Sequence, residues 1–231
     1  MRFKGKHRVS KQDLKEDRFQ EVIEKVASAY YRDKQKFWVI GGVILAVVVG
    51  SILLIQNRGQ RSDAEADLRF TEALGVFVQG DMQKAEEAFM NVASRFGRDF
   101  AGKKAHYYLG HIYYSTQRYD EAKQEFQQFL KGARKNPVLG PAAQMGWADC
   151  EEQLGEYVDA AQGYERVYQD YPHYPLSFDA MMAAGRAYIQ AGELDRAESV
   201  YKELADSDPS GDEAERVKVQ LSYVRTLQDK F

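Results

Sequence analysis

Four stretches of this chain repeat one pattern: GDMQKAEEAF from Gly80, QRYDEAKQEF from Gln117, GEYVDAAQGY from Gly155 and GELDRAESVY from Gly192. Each carries Gly (once Gln), an apolar residue two on, Ala five on and an aromatic nine on. The alanines are Ala85, Ala122, Ala160 and Ala197, a period of 37 or 38 residues. A period of this length is the mark of a stacked repeat, in which each supersecondary unit buries its apolar face only against its neighbours. The chemistry fits helix–turn–helix. The glycines supply the left-handed residue that ends a helix. Asp81, Asp120 and Asp195 stand near the start of the next helix, where acids oppose the macrodipole. The small Ala admits a close helix approach, and Phe89, Phe126, Tyr164 and Tyr201 lie four residues beyond it on the same face. Pro172 and Pro209 stop second helices.

The first helices agree. Leu109, Gly110 and Tyr113 recur as Ala184, Gly185 and Tyr188, with Trp147 and Ala148 at the equivalent places and Glu151 where the Tyr would stand. In this pattern the chain resembles the tetratricopeptide repeat (TPR). The match is best over 178–211, good over 103–136 and weaker over 141–174. The register of the first unit is open, because Phe70, Leu74 and Phe77 read as shifted by one. From Asp212 to Asp229 a lone capping helix is expected, with Val217, Leu221 and Val224 facing the last repeat and polar residues facing solvent. The expected fold is all-α: a TPR solenoid of about four repeats over 66–231, closed by the capping helix.

The N-terminal quarter is different. Residues 1–36 hold eleven Lys and Arg against six Asp and Glu, a net of +5, whereas the whole chain is −3. Phe37 to Ile55 then runs nineteen residues without a charge. As a helix this spans about 28 Å, close to a bilayer's hydrocarbon thickness. The n-region is too long for a cleaved signal peptide, so an uncleaved signal anchor is expected over 37–55, with 56–65 as linker. The basic tail places the N-terminus on the cytoplasmic side and the repeats outside. Within the tail, Phe19, Val22, Ile23, Val26 and Tyr30 form one apolar stripe for the membrane surface or a partner. Within the span, Gly42, Ala46 and Gly50 make a small-residue stripe that suits helix packing in lipid, or is the ordinary tolerance of membrane helices for Gly. Basic residues beside a membrane point to anionic lipid rather than nucleic acid.

No catalytic set stands out. His106 and His111 are five apart and share no helical face as ligands would. Cys150 is the lone cysteine, far in sequence from any activating His. No phosphate-binding glycine loop is present. Neither a cofactor, a metal nor an enzyme activity is expected, which leaves surface. Carried onto the repeat pattern, the groove positions of the first helices are Lys104, Tyr107, His111 and Tyr114, then Met145, Asp149 and Glu152, then Met182, Arg186 and Ile189. Aromatic and Met side chains give adaptable apolar contact, and the charged members would set a partner's orientation. At each place the alternative is packing against a neighbouring repeat. Partners are therefore proteins or peptide segments with apolar anchors, beside lipid through the single span.

The layout of short basic tail, single N-in span and outside TPR resembles the YfgM-like family, ancillary subunits of the bacterial SecYEG translocon. That resemblance implies an inner-membrane protein with periplasmic repeats that associates with the translocon and periplasmic chaperones. The other reading of the same layout is a TPR scaffold for envelope assembly or cell division.

Overall fold

A helix–turn–helix period needs a residue of positive φ at the end of each first helix, and four residues meet that need. In the computed structural model, which describes residues 47–51 and 63–230, φ is +85° at Gly80, +62° at Gln117, +83° at Gly155 and +77° at Gly192. Three of these turns close in the same way. Arg118 N–H donates to Tyr113 O (2.8 Å), Glu156 N–H to Glu151 O (2.9 Å) and Glu193 N–H to Tyr188 O (2.9 Å), the long bond of the Schellman motif that satisfies a helix's last carbonyls. At the first turn, Asp81 instead caps the next helix, its carboxylate accepting from Lys84 N–H (3.1 Å).

The chain divides between residues 60 and 61 into two units. In the first, residues 47–51 are helical, and Ser51 Oγ donates to Val47 O (2.7 Å). The rest of the expected span, with Gly42 and Ala46, and the tail stripe from Phe19 to Tyr30 lie outside the described residues. Among those described, no helix is long and apolar enough to cross a membrane.

The second unit has nine helices among the described residues and no strand. They are α1 (63–78), α2 (Met82–Arg95), α3 (Phe100–Ser115), α4 (Tyr119–Ala133), α5 (Leu139–Gln153), α6 (Tyr157–Asp170), α7 (Ser177–Gln190), α8 (Leu194–Asp206) and α9 (Asp212–Gln228). Helix α1 starts inside the segment read as linker. Helix α1 meets α2 through Phe70 and Phe77 on Phe89, each later helix packs on the next, and the first helices α3 and α5 also touch.

The two columns of the repeat form the core. Ala85, Ala122, Ala160 and Ala197 are fully buried, and Phe89, Phe126, Tyr164 and Tyr201 nearly so. The aromatics seat on glycines. A Cβ placed on Gly110 would lie 2.7 Å from the Phe126 ring, one on Gly146 2.6 Å from the same ring, and one on Gly185 2.4 Å from Tyr201. Phe126 is thus held between a glycine of its own repeat and one of the next. A mid-helix Gly costs about 1 kcal/mol in propensity; here the close approach requires it.

The first repeat's register is fixed by Ala73, fully buried 37 residues before Gly110. Phe70, Leu74 and Phe77 therefore fall in the columns of Tyr107, His111 and Tyr114. Phe70 and Phe77 close a four-ring cluster with Phe89 and Tyr108, the last two stacked at 5.1 Å. In the third repeat, Glu151 stands buried where the second and fourth have Tyr, and Lys123 Nζ lies 3.3 Å from its carboxylate.

Candidate partner-binding face

Because successive repeats are offset by 37 or 38 residues, equivalent positions of the first helices align in columns. One column runs Phe70, Tyr107, Met145, Met182 and Val219 across α1, α3, α5, α7 and α9. The next runs Leu74, His111, Asp149, Arg186 and Tyr223. A third runs Phe77, Tyr114, Glu152 and Ile189. All ten positions expected from sequence lie in these columns or in that of Lys104, and the side chains differ in how free they are.

Lys104 bridges α3 and α1, with Nζ 3.4 Å from Asp67 Oδ1 and 4.2 Å from the Phe70 ring centroid. Tyr107 is half-buried, its ring against His111 (4.5 Å), Tyr108 (5.4 Å), Phe129 (5.7 Å) and Phe126 (6.1 Å). Burial pushes its hydroxyl up to about 12. His111 packs edge-on to Phe126 (5.2 Å) while one side of its ring meets solvent. These apolar neighbours lower its pKa, so at neutral pH it is an uncharged surface aromatic. Tyr114 is half-buried beside Tyr119 (5.4 Å). Met145, Met182 and Ile189 are half-buried at the edge of the C-terminal core cluster.

Asp149 and Glu152 do more inside the repeat than the sequence suggests. The Tyr164 hydroxyl lies 2.5 Å from Asp149 Oδ1 and 2.9 Å from Glu152 Oε2. One proton cannot serve both carboxylates, and burial raises the pKa of Asp149 against the opposing pull of that hydrogen bond. Glu152 also meets Arg186 Nη2 at 3.3 Å, which joins α5 to α7. Asp179 and Arg216, 37 residues apart, pair at 2.7 Å between α7 and α9, as Asp67 and Lys104 do between α1 and α3. These charges thus link neighbouring repeats across the face.

Two parts of the face were not among the sequence candidates. Leu74 and Phe77, both half-buried, form its N-terminal end, while Phe70 is buried. At the other end, α9 continues it: Val219 and Tyr223 are 53% and 51% exposed, which corrects the expectation of a purely polar outer face. Adding 37 to Met182 and Arg186 finds both. Between α7 and α9 a cleft of about 340 Å³ is bounded by Met182, Arg186, Tyr201, Arg216 and Val219. Among the described residues, no three His, Cys, Asp or Glu side chains group to hold a metal. Cys150 is buried and its thiol is pushed up to about 12, so it is protonated at neutral pH.

Two family models described as tetratricopeptide repeat match the chain, one at residues 70–137 and 107–175 and the other at 152–221. Curated proteins yield no match. Solved structures share the fold at low identity. A tetratricopeptide repeat protein from Parabacteroides merdae is 20% identical, with 71% of this chain and 61% of that one covered and a TM-score of 0.57. BtubC from P. vanneervenii is 18% identical over 80% and 81%, with a TM-score of 0.53. MamA from Desulfovibrio magneticus RS-1 is 17% identical over 71% and 96%, with a TM-score of 0.51.

Proposed function

The chain belongs to the tetratricopeptide repeat family, and on that premise we propose that it is a non-enzymatic scaffold whose first-helix face receives an extended or helical segment of a partner protein. The observation that carries this reading is the column that runs through Tyr107, Met145, Met182 and Val219, apolar in every repeat from α3 to α9 and part-exposed at each, with Phe70 buried at its head. These side chains pack on the core with one side and leave apolar surface open on the other, which a peptide with apolar anchors at matching spacing buries. The inter-repeat charges at Arg186 and Arg216 fix the direction in which such a segment lies.

The scaffold is tethered to the inner membrane by the span at 37–55, with the tail cytoplasmic and the repeats periplasmic. There it links the secretion translocon to periplasmic folding factors. The nineteen uncharged residues, the basic tail and the resemblance to the YfgM-like family support this reading. Photo-crosslinkers at Tyr114 and Met182 in cells, followed by mass spectrometry of the captured peptides, test it. Translocon subunits or periplasmic folding factors are the expected captures. Cell-wall or outer-membrane assembly proteins would contradict the secretion role and favour an envelope-assembly scaffold.

A further inference from the structure

Large apolar side chains stand exposed along one edge of the repeats, away from the face just described. Phe100 opens α3 and is 46% exposed; Val138 and Leu176 immediately precede α5 and α7 and are 65% and 44% exposed. All three occupy the junctions between repeats, and those junctions lie side by side. Lys103 at the start of α3 reaches Gly132 at the end of α4, the Tyr171 hydroxyl donates to Arg134 O (2.8 Å), and Arg134 pairs with Asp170. A hollow between Phe100, Leu130 and the 131–136 segment joins the first junction to the second.

The first two junctions of this edge are basic. Arg95 and Arg98 flank the first, with Asp99 beside them, and Lys131, Arg134 and Lys135 the second; all five cations are exposed, Arg95 pairing with Glu65 and Arg134 with Asp170. Asp170 and Asp179 flank the third junction, and Asp206, Asp208, Asp212 and Glu213 lie beyond it, at the α8–α9 end. Phe100 and Val138 at junctions that carry Lys and Arg, with Leu176 exposed beside them, make a surface that inserts apolar tips at the headgroup level while its cations meet anionic lipid. The start of α1 is on this edge too, because Glu65 pairs with Arg95 (3.4 Å). Residues 56–62 separate α1 from the expected span and reach at most about 25 Å.

We infer that this inter-repeat edge is a second, peripheral contact with an anionic membrane surface, which lays the repeats against the bilayer to which the chain is tethered. The inference rests on the membrane-anchored reading above. The result is a fixed orientation, with the edge on lipid and the intra-repeat turns at Gln117 and Gly155 pointing away.

The test uses the full chain reconstituted into vesicles of phosphatidylcholine alone or of phosphatidylcholine with phosphatidylglycerol. An environment-sensitive fluorophore is attached at Val138→Cys, or at Gln117→Cys as the control on the opposite edge; the buried Cys150 does not compete. A blue shift with a several-fold rise in emission is expected at 138 only in the anionic vesicles. It should be abolished by the triple variant Lys131→Glu, Arg134→Glu, Lys135→Glu and reduced by Phe100→Ser. No shift at 138 in anionic vesicles, or equal shifts at 138 and 117, would overturn the inference. Co-flotation with the neutral vesicles reads the tether separately: chain that floats with them while label 138 stays silent keeps the anchor and loses the edge contact.

Discussion

Single residues show where the repeat pattern is obeyed and where it is strained. Gln117 holds the left-handed conformation that Gly holds at the other three turns. A side chain there costs roughly 1 kcal/mol, so Gln117→Gly should stabilise the fold by about that much in chemical denaturation. Gly185 is the opposite case. Its φ is ordinary, yet a Cβ would meet Tyr201 at 2.4 Å, so Gly185→Ala should cost about 1–3 kcal/mol despite better helix propensity. The fully buried Ala160 tolerates Leu no better, at about 1–3 kcal/mol by the same measurement. Asp149 sets a pH dependence. Its folded pKa is raised by burial, so between its unfolded and folded values the native state binds more protons, and stability rises as pH falls through that interval. Asp149→Asn keeps an acceptor for Tyr164 and removes the charge. It should raise the melting temperature most at neutral pH, with the gap closing on acidification; a constant gap would assign the effect to packing.

At the scale of helices, the pattern of Gly, Ala and aromatic was legible because each member answers a constraint that recurs every 37 or 38 residues: a left-handed turn, a close approach, a ring to fill the gap. The first unit was harder. Its large and Tyr positions hold Glu72, which is exposed, and Val76, which packs half-buried on the core, and only Ala73 keeps the register. Glu151 departs from the pattern for another reason: Lys123 of α4 supplies a charge partner. Removing that partner with Lys123→Met leaves a buried carboxylate alone, at a cost of about 3–5 kcal/mol, whereas Glu151→Tyr restores the repeat residue at little cost. Calorimetry of the two variants checks the contrast. Helix α9 was placed correctly as a cap by Val217 and Val224, both buried. Its second role, as the last rung of the face, was hidden because Val219 and Tyr223 do not belong to the apolar stripe that the helical period picks out.

For the whole molecule, the candidate face was readable by position but not by availability. Sequence spacing puts Tyr107 and Tyr114 on the same face, yet only the packed structure shows Tyr107 wedged against Phe126 and Phe129. Likewise, Asp149 and Glu152 are engaged by Tyr164 and Arg186, contacts that join residues 12 to 34 apart and that no local pattern reveals. Truncating Tyr107 would therefore damage the core along with the face. The exposed Val219 and Tyr223 are the better probes, because their side chains can change without leaving a cavity. The most direct measurement of the central claim is the affinity of full-length chain for a captured partner segment, compared with Val219→Asp and Tyr223→Ala variants whose helicity and melting are unchanged. The account predicts that the double variant binds at least about tenfold more weakly, equivalent to about 1.4 kcal/mol. Undiminished affinity in that variant would contradict it and move the binding surface elsewhere on the repeats.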